Sequence, residues 1–316
     1  MSIRSLSIST RVTLNLHSLN NEGTEGNQQQ TRMVTVFDST GTRASVNAIS
    51  GDMLKHVLVE HLTPLLREAG QPVCGPSAQG NADRLNADPA FIKFAETKAN
   101  TESDILDQII KECALTELAG TLVTRGRSVG RKSCIEFGWV VGIPGSVATD
   151  QYFHVKYAPE GREAATGGDT VAGKQAIFHR PASSGVYALV CNIDLDRIGL
   201  NDITRTYAVS RESRQVRGRC LVRALMASLL APKGAQRNTQ NPHIVGAEGV
   251  IAVSRSHFPA PTVSPLNPAY REEMTQIAGT LNKIEAGSTT VTAFNTLAEA
   301  AEVLEGFASV LEVPAE

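Results

Sequence analysis

The chain has 316 residues, 41% hydrophobic and 20% charged, which excludes a disordered or fibrous protein and leaves room for a sizeable core in one large domain or two small ones. Its formal net charge of −2 would by itself argue against a nucleic-acid partner. The distribution reads differently: residues 121–240 hold 17 Lys and Arg against 9 Asp and Glu, a net of +8, and the rest of the chain carries −10.

"MSIRSLSIST" lacks the apolar centre of a signal peptide, and no segment approaches the roughly 18 apolar residues of a membrane span, so a cytoplasmic protein with no membrane contact is expected. "RVTLNLH" alternates strictly, Val12, Leu14 and Leu16 against Arg11, Thr13, Asn15 and His17, and predicts a half-buried strand with a polar, hydrogen-bonding face. "SLNNEGTEGNQQQT" has no period and predicts a long loop. "RMVTVFD" and "TRASVNAI" flank the turn signal "STGT" and predict a hairpin.

"ISGDMLKHVLVEHLTPLLREAG" predicts a helix capped by Ser50 and ended at Gly70, with an apolar stripe through Met53, Leu54, Val57, Leu58, Leu62, Leu65 and Leu66. Lys55 and His56 lie near its start, where the helix dipole disfavours positive charge by a few tenths of a kcal/mol. An anion bound at the helix N-terminus would reverse that penalty; otherwise both side chains simply reach solvent. His56 and His61 are five apart, point to different helix faces, and make no zinc pair.

Residues 71–120 read as an insertion: a Pro-, Gly-, Asn- and Asp-rich stretch around "FIKF", then an amphipathic helix capped by Ser103 and stopped at Gly120. A basic loop with Arg125, Arg127, Arg131 and Lys132 leads into an apolar strand. "QYFHVKY" is a further strand, and "SGVYALVCNIDLD", apolar on both faces, a central one. In "RESRQVRGRCLVRALMASLLAP" the helical spacing turns Val216, Cys220, Leu225 and Leu229 inward and Arg214, Arg217 and Arg223 outward. "GVIAVSRSHF" is the last central strand, "FPAPTVSPLNP" a stiff connector, and acidic, Ala-rich helical sequence closes the chain. The order is that of an α+β protein.

Catalytic motifs are missing. "GGDTVAGKQAIFHR" places Gly168, Gly173 and Lys174 as a phosphate-binding P-loop would, but Gln175 removes the magnesium-binding hydroxyl. No buried strand precedes the loop, and Pro181 prevents a helix of any length after it. No GxSxG motif occurs, no carboxylates pair at a diagnostic spacing, and seven scattered histidines single out no base. The five cysteines are odd in number and widely spaced without a CxxC pair, which predicts buried, reduced thiols. Neither metal nor cofactor is expected. With aromatics at 5%, RNA could be held only through phosphate contacts and polar side chains.

"LNLHSLNNEGTEGN", "ISGDMLKH", "QPVC" with "FIKF", "GRSVGRKSCIEFGW", "QYFHVKY" followed by "GKQAIF", and the Arg-rich helix together carry a resemblance. In this order and spacing the chain resembles the DevR-type crRNA-binding backbone subunits of type I CRISPR surveillance complexes (Cascade), in the RAMP superfamily. The resemblance implies a modified RNA-recognition (ferredoxin-like) palm with inserted fingers and a thumb-like hairpin, placed at 156–176. It implies a non-catalytic protein whose copies polymerise helically along the guide RNA, grip its backbone without reading sequence, and present its bases to target DNA beside other Cascade subunits.

Carried over by position, it assigns RNA contacts to His154 in the strand motif, Asn20 and Asn27 (with Gly26) in the early loop, and Ser50 (with Gly51) at the helix start; Lys156, two residues beyond His154, is a further candidate on charge. It likewise assigns Lys174 and Gln175 (with Gly173) after the thumb-type loop. His17, Lys55, His56, Arg127, Arg131 and Lys132 complete the candidate set on charge or strand position. His17 and His154 also fit as hydrogen-bonded edge-strand residues, and Asn20 and Asn27 as turn formers. The loop "NQQQTR" is less basic than the family pattern leads one to expect. Two other readings stay open: a type III backbone subunit that cleaves target RNA with an Asp on a palm loop, and a structural protein that self-assembles acidic face to basic face without RNA.

Overall fold

The computed structural model describes residues 2–156, 176–233 and 237–315. β1 (Ser5–His17) alternates as predicted over most of its length, with Leu6, Ile8, Val12 and Leu14 buried on one side. The polar segment after it is a second hairpin, β2 (Asn21–Glu25) and β3 (Gln28–Thr31), turning at Gly26 with φ 59°. Its strands are mostly exposed, so they carry no hydrophobic alternation by which a strand could be recognised. β4 (Met33–Phe37) and β5 (Arg43–Ile49) form the expected hairpin; Asp38 Oδ1 fixes its turn by accepting the backbone N–H groups of Thr40 and Thr42, each at 2.9 Å.

α1 (Gly51–Glu68) buries Val57, Leu58, Leu62 and Leu66. The insertion 71–120 is helical: α2 (Gly75–Ala78), a 3-10 turn at Arg84–Ala87, α3 (Pro89–Thr97), α4 (Glu102–Glu112) and α5 (Ala114–Ala119). Leu85, Phe91, Ile105, Ile109 and Leu115 from this stretch join the main core. α4 is capped by Thr101 rather than Ser103, because Thr101 and Asp104 cap one another's backbone N–H groups reciprocally. Extended backbone at Cys113 (φ −146°, ψ 97°) splits the predicted helix in two.

β6 (Thr121–Val123) and β7 (Val129–Arg131) pair as a small separate sheet. Then follow β8 (Ile135–Phe137), β9 (Val140–Lys156), β10 (Ala176–Asp194), α6 (Arg211–Leu230) and β11 (His243–Ser254). α7 (Tyr270–Ile284), β12 (Thr289–Phe294) and α8 (Leu297–Ser309) complete the chain; β12 is an edge strand, so β11 is the last central strand, as expected.

The main sheet runs β12-β11-β1-β10-β9-β5-β4, and β1 pairs antiparallel with both β10 and β11. β1, α1, β9, β10, α6 and β11 therefore form a βαββαβ unit whose four strands lie fourth, first, third, second across the sheet. This is the ferredoxin-like order, and the expected α+β class is observed. α1 and α6 cover one face, packing Leu58, Leu62, Leu221 and Leu225 on Leu6, Ile8, Leu189, Cys191 and Ile251.

The other face is covered too, over β1 and β11. The proline-rich connector and α7 bury Val250 and Ala252 beneath Ala260, Tyr270 and Met274. The small polar residues of β1 suit this close cover: Ser7 Oγ donates to Pro261 O at 2.5 Å, and the Arg11 guanidinium donates to Pro265 O at 2.9 and 3.1 Å. This is the face on which an RNA-recognition sheet ordinarily stacks bases. Here it is occupied by the protein's own chain.

Candidate nucleic-acid interface

β1 does not end as its alternation predicts. Leu16 takes φ 55°, its pairing with β10 slips between Leu14 and His17, and the two side chains exchange sides. Leu16 becomes exposed, whereas His17 is 2% exposed, edge-on to Tyr187 with ring centroids 4.9 Å apart. Burial lowers the His17 pKa to about 4, so the ring is neutral at pH 7 and faces no phosphate. His17 is thus a core residue and not the surface contact expected.

Just beyond it, Asn20 Oδ1 accepts the backbone N–H of Ser50 at 2.7 Å, and Ser50 Oγ accepts that of Met53 at 3.2 Å. The early loop is thereby tied to the start of α1. Gly51 lets the helix start press against β8, because a Cβ there would lie 2.8 Å from Phe137 O. Ser50 is itself buried, so its hydroxyl serves the cap.

Beside this junction opens a groove of about 640 Å³, lined by Asn20, Gln29, Met53, Arg180, Arg237 and Thr239 among others. Gln240 Nε2 donates to Pro181 O at 3.1 Å and holds the Arg237 segment against β10. β3 flanks the far end of β10, where His179 N–H donates to Asn27 O at 2.8 Å. His154 reaches this site through a stack: its ring lies parallel to Phe178 at 5.5 Å, and the Arg180 guanidinium sits 4.8 Å from the centre of the same Phe178 ring. Two guanidinium groups, several primary amides and an aromatic–imidazole stack beside a helix N-terminus suit a chain of phosphates and unpaired bases.

The structure thus brings Asn20, Ser50, Asn27 and His154 to one region and leaves other candidates elsewhere. Lys55 faces Arg84 and Glu136; its pKa is lowered, first by burial and then by the Arg84 charge. His56 is exposed on α1. Arg127 is exposed on the β6–β7 turn, and its charge acts on Asp104. Lys132 pairs with Glu136 and lines a different cleft at the opposite end of β10. Lys174, Gln175 and nearly all of the 156–176 thumb assignment lie outside the described residues, as does the Lys156 side chain.

Three arginines expected on the surface are interior. Arg131 donates to Arg197 O and Leu200 O and pairs with Asp202 and Glu117. Arg217 pairs with Glu117 and donates to Ile110 O at 2.9 Å. Arg214 lies 3.5 Å from the Tyr207 ring centre and donates to Pro314 O and Ala315 O. Helical spacing alone had turned Arg214 and Arg217 outward, but the inserted helices and the C-terminal segment cover that side of α6. Arg223 is exposed as expected, held by Glu305. Sequence reasoning passed over Arg180 and Gln29, whose only signals are period-two spacing from Phe178 and a polar strand, and over Arg237, which sits in coil without a motif.

Fold and site define a ferredoxin-like α+β protein whose exposed cationic groove lies beside the sheet and not on it. The chain matches the model of the family described as CRISPR-associated negative auto-regulator DevR/Csa2 over residues 8–275, and it belongs to that family. It is 24% identical over 268 residues to CRISPR-associated protein Cas7/Csa2 1 of Saccharolobus solfataricus, covering 82% of each chain. Its fold matches a chain of a solved CRISPR RNA-guided surveillance complex with a TM-score of 0.53 and 13% identity, over 96% of this chain and 98% of that one.

Proposed function

We propose that this protein is a non-catalytic backbone subunit of a crRNA-guided surveillance complex in the cytoplasm, binding the guide RNA in the groove beside the start of α1. The observation that carries the reading is the pairing of Arg180 and Arg237 in a groove with Asn20 and Gln29, while the sheet face over β1 and β11 is covered by the protein's own connector. Cations and amides hold phosphates and sugars without reading sequence, which is what a scaffold for variable guides requires. The described lining of the groove has no carboxylate or thiol, and this supports binding over cleavage.

Successive copies grip successive segments of one guide and stack into a helical filament that presents the bases to target DNA, next to other subunits of the complex. The test is size-exclusion chromatography with absorbance at 260 and 280 nm, with and without a guide-length RNA, at two salt concentrations. RNA-containing species whose size tracks RNA length support the reading. Assembly of the same size without RNA favours a purely structural filament, and shortening of an added target RNA favours a cleaving subunit.

A further inference from the structure

Cys74 and Cys113 are 39 positions apart and meet where the segment entering α2 crosses the start of α5. Cys113 Sγ caps α5 by accepting the Thr116 backbone N–H at 3.4 Å, and it accepts the Cys74 backbone N–H at the same distance. Ser77 Oγ lies 3.0 Å from Cys74 Sγ and 3.4 Å from Cys113 Sγ. The Ala114 N–H bond to Pro72 O, at 2.8 Å, holds the two segments side by side. Ser77 Oγ therefore lies between the two sulfurs and within hydrogen-bonding reach of both.

The hydrogen bonds at this site favour a thiolate on Cys113. Hydrogen bonds, first from the Cys74 side chain and then from the backbone and Ser77, lower the Cys113 pKa against its burial, and the Arg84 guanidinium adds a nearby positive charge. Cys74 is correspondingly pushed up, first by its hydrogen bond to Cys113 and then by burial. Cys113 is buried, but Cys74 is partly exposed and gives a small oxidant a way in. The other three cysteines differ: Cys134, Cys191 and Cys220 are buried and raised by desolvation, the condition of inert thiols.

We propose that Cys74 and Cys113 form a peroxide-sensitive dithiol that closes reversibly to an intramolecular disulfide. The Cys113 thiolate attacks one oxygen of hydrogen peroxide; the O–O bond breaks, leaving a sulfenic acid on Cys113 and hydroxide, which takes the Cys74 proton to become water. The Cys74 thiolate then attacks the sulfenic sulfur; the S–S bond forms, the S–O bond breaks, and the departing hydroxide takes a solvent proton. That solvent proton balances the one Cys113 had already released, so two thiols lose two electrons and one peroxide becomes two waters. A thiol reductant reverses the change.

The experiment treats the full chain with hydrogen peroxide at pH 7 and maps disulfide-linked peptides under non-reducing conditions. A bridge joining Cys74 to Cys113, three free thiols remaining of the five, and full recovery with dithiothreitol are expected. Cys74→Ser keeps the backbone donor to Cys113 and should accumulate a sulfenic acid there, trapped by dimedone. Cys113→Ser should slow peroxide consumption at least tenfold; if it does not fold, the wild-type map and Cys74→Ser decide. Five free thiols after peroxide, or a bridge through any other cysteine, overturns the proposal. These readouts need no RNA and stand apart from the guide-binding reading.

Discussion

Glu117 and Arg217 form an ion pair with neither side chain more than 1% exposed, and it joins the short helix α5 to the long helix α6. The second carboxylate oxygen of Glu117 accepts the Gly199 backbone N–H and meets Arg131, so one buried charge ties the insertion, the β7 strand and the loop after β10 together. Removing it leaves the buried Arg217 guanidinium without its carboxylate and Arg131 with Asp202 alone. Glu117→Ala is expected to lose about 3–5 kcal/mol, the penalty typical of a broken buried pair, read as a drop in urea midpoint. A loss below about 1 kcal/mol would show that water replaces the carboxylate.

In RNA binding, Arg180→Ala and Arg237→Ala should each weaken affinity for single-stranded RNA. Each should also flatten the dependence of log affinity on log salt by about 0.7, the slope of one phosphate contact on a single strand. Lys55→Ala should leave both unchanged, since Lys55 faces Arg84 and Glu136 and not the groove. Fluorescence anisotropy at several salt concentrations checks all three, and equal effects at Lys55 and Arg180 would dissolve the site.

His17 makes stability depend on pH. Its folded pKa, about 4, is below the ordinary value of 6.5, so between these values the unfolded chain binds a proton that the folded chain does not. The neutral ring's contribution is fully present above pH 6.5 and is lost as pH falls toward 4, at up to about 1.4 kcal/mol per pH unit. Denaturant unfolding at pH 7.5 and 5 should show the decline, and His17→Gln should show a shallower one.

Gly120 has φ 77°, and a Cβ there would lie 2.8 Å from both Arg131 O and Ser133 N. Gly120→Ala should destabilise the chain by about 1–3 kcal/mol from backbone conformation alone, with more from the contact. A thermal midpoint within a degree of wild type would contradict that.

The α+β class, the 33–49 hairpin, the stripe and cap of α1, the central place of β10 and the family resemblance were all legible in the sequence. Each rests on local periodicity, capping or motif order. Residues such as Ser50, Val57 and Leu62 carry that signal within a few positions of themselves. Only the tertiary structure decided which charges are surface and which are core. Arg131, Arg214 and Arg217 read as cations on open faces until α5, the loop after β10 and the C-terminal segment bring carboxylates and carbonyls over them. His17 changed sides because a single positive φ at Leu16 inverted the strand's alternation, a step that no residue pattern announces. Arg180 and Arg237 meet in one groove across 57 positions because a guanidinium's neighbours are set by strand order and loop docking, not by sequence spacing.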